Sequence, residues 1–103
     1  MTDPSYAFSK LLEGVSVDDA LEKVADALKA NGFGVLTKID VKETLKKKID
    51  VDFRPYVILG ACNPKLAHKA LQGDPSIGLV LPCNVVVQES EGGALVSFAD
   101  PRA

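Results

Sequence analysis

Apolar positions recur along the chain at two periods, and the switches between them lay out a succession of elements. Tyr6 to Leu12 mixes apolar and polar positions and reads as a first strand. Val17, Leu21, Val24, Ala25 and Leu28 then fall at helical spacing and build one apolar stripe. Ser16, with Asp19 three residues on, resembles a capping box at the start of that helix. Asn31-Gly32 closes it, because glycine accepts the left-handed conformation just past a last turn. Phe33, Val35, Thr37 and Ile39 alternate with Gly34, Leu36, Lys38 and Asp40, which predicts a strand with one buried face. Asp40 and Glu43 repeat the capping signal, and Val41, Leu45 and Ile49 follow at intervals of four.

Tyr56-Val57-Ile58-Leu59 is apolar without alternation, so this strand is expected to be covered on both faces. Asn63 can cap the next helix, with Pro64 at its first position, where no backbone donor is needed. Leu66, Ala67, Ala70 and Leu71 supply an apolar face, and Gly73 ends the helix. Asp74-Pro75 starts a short turn. Leu79-Val80-Leu81 leads to Pro82, and Cys83 to Glu89 reads as a strand with Val85 and Val87 on one side. Residues 90–93, Ser-Glu-Gly-Gly, form a hairpin loop before a returning strand, Ala94 to Ala99. The order is strand, helix, strand, helix, strand, helix, strand, strand. Ending on a hairpin predicts an α+β domain, a single layer of mixed or mostly antiparallel sheet with helices packed on it.

Composition narrows the function classes. A chain of 103 residues reads as one domain over 1–103, long enough to bury roughly 65% of its unfolded surface. With 12 basic and 14 acidic side chains the net charge is −2, which offers no footprint for nucleic acid. Lys42, Lys46, Lys47 and Lys48 line one side of a helix, but Glu43 and Lys47 form a ready i,i+4 pair, so a solvated face accounts for them. No apolar run approaches a membrane span, and the first residues lack the pattern of a secretory signal. Two cysteines without an export signal point to a reducing, cytoplasmic setting.

Candidate chemistry centres on those cysteines, each beside an asparagine and a proline in Cys62-Asn63-Pro64 and Pro82-Cys83-Asn84. Cys62 precedes a helix start, where free N–H groups and the helix dipole stabilise a thiolate. Lys65 in the first turn would add positive charge there. As a small apolar side chain, Cys62 would simply continue the packing of Leu59 and Ala61. If the strands bearing Cys62 and Cys83 are neighbours, their sulfurs could meet and form a redox pair or clip a soft metal ion such as Cu(I). Their spacing matches no metal-ligand motif. His68, the lone histidine, could assist Cys62 as a base, or stand exposed on its helix. Asn63 and Asn84 act locally, or present polar groups beside the sulfurs to a small ligand. Asp52, Arg54 and Tyr56 could line a pocket, or form the wet face of an entering strand.

From Gly32 onward the pieces GFGVLTKIDVKETLKKK, YVILGACNPKLAHKALQGDPSIGLVLPCNVVV and VSFADP resemble the domain-of-unknown-function 302 family, over about two-thirds of the chain. The resemblance implies a compact α+β domain with a TBP-like arrangement of sheet and helices that pairs into homodimers. It implies no reaction, and fold alone makes no DNA binder. Three functions follow as expectations. The first is a non-catalytic, homodimeric module that binds a small ligand or soft metal around Cys62, Asn63, Cys83 and Asn84. The second is a thiol redox or sulfur-transfer enzyme using Cys62 as nucleophile, Cys83 to resolve it and His68 to assist. The third is a structural self-association domain.

Overall fold

A computed structural model describes residues 7–99. Its elements are β1 (Ala7–Glu13), α1 (Val17–Ala30), β2 (Gly34–Asp40), α2 (Val41–Ile49), β3 (Tyr56–Cys62), α3 (Pro64–Gly73), a 3-10 helix (Pro75–Val80), β4 (Cys83–Ser90) and β5 (Gly93–Ala99). They follow the order read from the sequence, with the 3-10 helix standing where a turn was expected. Tyr6, the expected start of the first strand, lies outside the described residues, as do Asp100 and Pro101 of the closing motif. No helix among the described residues is long and apolar enough to cross a membrane.

The five strands form one sheet in the order β1-β5-β4-β3-β2, every pair antiparallel. The first two strands therefore occupy opposite edges, and α1 has to cross the sheet between them. Fourteen helical residues reach about 21 Å, and the helix runs over β2, β4 and β5, with the residues on either side of it completing the connection. Its start is set by the Ser16 hydroxyl, which accepts from the Asp19 amide at 3.1 Å. Its end is set by Gly32, whose φ of +81° a residue with a Cβ would resist.

Side-chain alternation divides the sheet into two unlike faces. Val57, Leu59 and Val85 pack beneath Val17, Leu21 and Val24 of α1, and Val87 and Ala94 pack against Ala20. Ala20 lies in the apolar stripe and carries no bulk, so the helix can approach β4 and β5 closely. Complete burial of Val87 stabilises the fold by about 1.5–3 kcal/mol relative to exposure. Among the described residues every buried hydrophobic one lies on α1 or on this helix face of β3, β4 and β5.

The other face carries no buried hydrophobic side chain among the described residues. Tyr56, Ile58, Val86 and Leu95 are half-buried there, while Leu11 and Ile39 are exposed. This corrects the expectation that both faces of β3 are covered. The single buried face expected of β2 is also corrected, because β2 is an edge strand with a bulge between Val35 and Thr37. The bulge shifts side-chain parity, so Val35 sides with Ala61 while Thr37 and Ile39 side with Gly60 and Ile58.

α3 packs chiefly on the 3-10 helix and leaves Leu66 and Leu71 exposed, so its expected apolar face is not buried. Gly60 is the one buried backbone position on the open face, closed over by Thr37 and Pro82. A Cβ at Gly60 would collide with the Thr37 hydroxyl and the Pro82 ring, whereas one at Gly73 would meet nothing within 4 Å. Gly60→Ala should therefore lower unfolding free energy by about 1–3 kcal/mol. Gly73→Ala should leave it unchanged or raise it by up to about 1 kcal/mol. Urea denaturation of the two variants checks the contrast.

Candidate functional site

Cys62 ends β3 and Cys83 begins β4, so the two thiols do sit on neighbouring strands at one end of the sheet. The register sets Cys83 across from Ala61, and Cys62 across from Gly34. Directly opposed residues share a face, so Cys83 goes with Ala61 to the helix face and Cys62 to the open face. Pro82 fixes the same parity independently, because it covers Gly60 from the open face one residue before Cys83. The expected meeting of the two sulfurs is thus corrected by the pleat. Both thiols are free, Cys62 half-buried and Cys83 exposed, and neither makes a hydrogen bond to another described residue.

Asn63 works as its position implies. Its side-chain oxygen accepts from the Leu66 amide at 3.1 Å, with Pro64 at the first turn of α3. Its side-chain nitrogen lies against Gly32, joining the start of α3 to the end of α1. Asn84 is exposed on the open face, opposite Gly60. His68 is exposed on α3 and makes no hydrogen bond to Cys62. Of the proposed site residues, then, Cys62 and Asn84 share a face, Cys83 lies on the other, and Asn63 is engaged in capping. No cluster of three or more His, Cys, Asp and Glu side chains among the described residues is arranged to hold a metal ion.

Two of the four lysines of α2 are paired locally. Lys47 pairs with Glu43 at 3.0 Å, and Lys46 with Asp50 at 2.9 Å and Asp52 at 3.3 Å. A surface depression among Asp40, Lys42, Glu43, Lys46 and Lys47 lies at the end of the sheet opposite Cys62. Asp52 and Arg54 do not form a common pocket. The Arg54 guanidinium lies over the Phe53 ring at 4.5 Å and near the Tyr56 ring at 5.8 Å. Its Nε and Nη2 both donate to the Gln88 Oε1, at 3.1 and 2.9 Å. Stacking and a double donation fix this cation at the margin of the open face.

What sequence reasoning missed is that open face itself. Leu11 and Leu95 pair across β1 and β5, and Val86, Ile58 and Ile39 run side by side across β4, β3 and β2. Ser9 and Ser97 hydroxyls meet at 2.7 Å among them. The signal was present in Val85-Val86-Val87, where an apolar residue occupies the position between two inward valines.

An open-faced antiparallel sheet with helices packed on it defines an α+β protein, and the comparisons place it more closely. Residues 8–103 match the model of the family described as Domain of unknown function DUF302. A crystal structure of an uncharacterized conserved DUF302 protein from Bacillus stearothermophilus superposes with a TM-score of 0.85. It shares 31% sequence identity, over 95% of this chain and 76% of that one. No curated protein matches the chain significantly. The chain belongs to the DUF302 family.

Opposite faces leave no route to an intramolecular disulfide. Mild oxidation of the folded protein should give no species lighter by two hydrogens in an intact mass spectrum, and alkylation should label Cys83 before Cys62. A rapid loss of two hydrogens would contradict the register. Asn63→Ala should cost about 1 kcal/mol of stability, measured by denaturant unfolding, through loss of its cap.

Proposed function

We propose that the chain is a non-catalytic domain that works as a homodimer, two copies joined through the open faces of their sheets. The observation that carries this reading is the asymmetry of burial. α1 buries the centre of one face and leaves Phe8, Phe98 and Val35 exposed at its margins. On the other face Leu11 and Ile39 are exposed and Ile58, Val86 and Leu95 only half-buried, with no residue of that face's hydrophobic row fully buried. Monomeric soluble proteins rarely leave a contiguous apolar face to water. Strands of seven or eight residues in a five-strand sheet give a face of about 23 by 22 Å. Two such faces remove about 1,000 Å² from solvent, the lower bound for a specific interface. The Ser9–Ser97 hydroxyl pair satisfies hydrogen-bonding groups within that patch, which lowers the cost of covering them.

Binding of a small ligand or soft metal ion has less support in this arrangement. It rests on Cys62 and Asn84 at one end of the open face, with Cys83 turned away and Asn63 engaged as a cap. A thiol redox or sulfur-transfer role has the least, since Cys62, Cys83 and His68 make no mutual contact that would activate or resolve a thiolate. A TBP-like topology would by itself add no nucleic-acid role, and Lys46 and Lys47 pair with neighbouring carboxylates. A cytoplasmic setting would keep both cysteines as thiols.

Sedimentation equilibrium of the native protein should give twice the chain mass. Val86→Glu, which buries a charge in the centre of the face, should weaken association at least tenfold, while Cys62→Ser/Cys83→Ser keeps it. A native monomer at about 100 μM would overturn the dimer. A double cysteine variant that dissociates would restore the thiols to the functional site.

A further inference from the structure

Among the described residues the open face carries one fixed cation and one carboxylate, and their positions dictate how two copies can meet. Glu13 is the last residue of β1, paired with Gly93, on the same face as Leu11. Gly93 pairs with Ser90, and Tyr56 pairs with Gln88. Pairing continues past Tyr56, because the Glu89 amide donates to the Pro55 carbonyl at 2.8 Å. One further step sets Arg54 beside Ser90. Glu13, Gly93, Ser90 and the Arg54 backbone therefore follow one row across the sheet, while the Arg54 guanidinium reaches to Gln88 in the next row. The acid is at the β1 edge and the base on the β2 side of the central strand β4.

Resting on the dimer proposed above, we infer that its twofold axis runs parallel to β4, between the two sheets. Rotation about that line exchanges the two edges of the sheet and leaves every row at its own height. Glu13 of each copy then arrives above the β2 side of the partner, in the row of the partner's Arg54. The remaining offset to the guanidinium, about 5 Å sideways and about 7 Å along the strand, is within reach of two long side chains. The same rotation sets Leu95 over the partner's Tyr56, and Val86 over its own counterpart.

Strands of two packed sheets stay within about 30° of one another, which leaves one other aligned solution, an axis perpendicular to the strands. That rotation would carry Arg54 to the far end of the partner's β3, beside Pro82 and Cys62, where the open face holds no carboxylate among the described residues. Opposed unlike charges at a rim fix register and exclude wrong alignments, while like charges facing each other oppose association. The geometry selects the axis along β4.

The test is a charge exchange read by sedimentation equilibrium. Glu13→Arg and Arg54→Glu should each weaken dimerisation at least about tenfold, since twofold symmetry makes each change act twice. Combined in one chain, they should restore the dissociation constant to within about threefold of the native value, because both pairs reform with reversed sign. Circular dichroism on each variant verifies that all four proteins are folded. A native dimer whose double variant is no tighter than the singles, or whose singles match the native protein, overturns the axis and leaves the face pairing standing. A native monomer overturns both.

Discussion

One helix covers one face of one sheet, and the rest of the structure answers to that constraint. α1 connects the β1 edge to the β2 edge and runs over β2, β4 and β5. Its apolar stripe meets the alternate side chains of β3, β4 and β5, and the buried hydrophobic core is made wholly there. The remaining helices extend the structure without covering the second face to the point of burial. α2 follows directly from the end of β2, and α3 leans on its own 3-10 helix. A sheet so built has a partly exposed apolar underside, which is the ground on which a second copy is proposed as its cover.

The cysteines illustrate how the same sheet decides chemistry. Strand adjacency alone would have brought Cys62 and Cys83 together, as a reading of the chain allows. Sheet register works at a resolution of one residue, and a single step turns a side chain from one face to the other. Because Ala61, and not Cys62, stands across from Cys83, the two thiols are divided by the sheet. Arg54 shows the converse. Its partner Gln88 is distant in sequence and carries no motif, yet the β3–β4 register makes them neighbours.

Local signals in the sequence were readable because they act over a few residues. Ser16, Asp40 and Asn63 cap the three helices through their side-chain oxygens as their positions imply, and the Val17-Leu21-Val24 stripe faces the core. The antiparallel class followed from the closing hairpin. What could not be read was nonlocal. An unbroken Tyr56-Val57-Ile58-Leu59 looks the same whether its outer face is covered by a helix or awaits another subunit. The β2 bulge keeps an apparent alternation in sequence while changing the face on which Val35 lies. The exposed leucines of α3 have helical spacing whether or not anything packs against them.

The central claim concerns the open face, and the most direct measurement is an isotope-filtered NOE experiment on a mixture of methyl-labelled and unlabelled protein. Intermolecular signals from Ile58, Val86 and Leu95 methyls, and none from Val17, Leu21 or Val24 of α1, are the predicted result. Intermolecular signals confined to α1, α3 or the sheet edges, or none at any concentration, would contradict a sheet that is completed by its own copy.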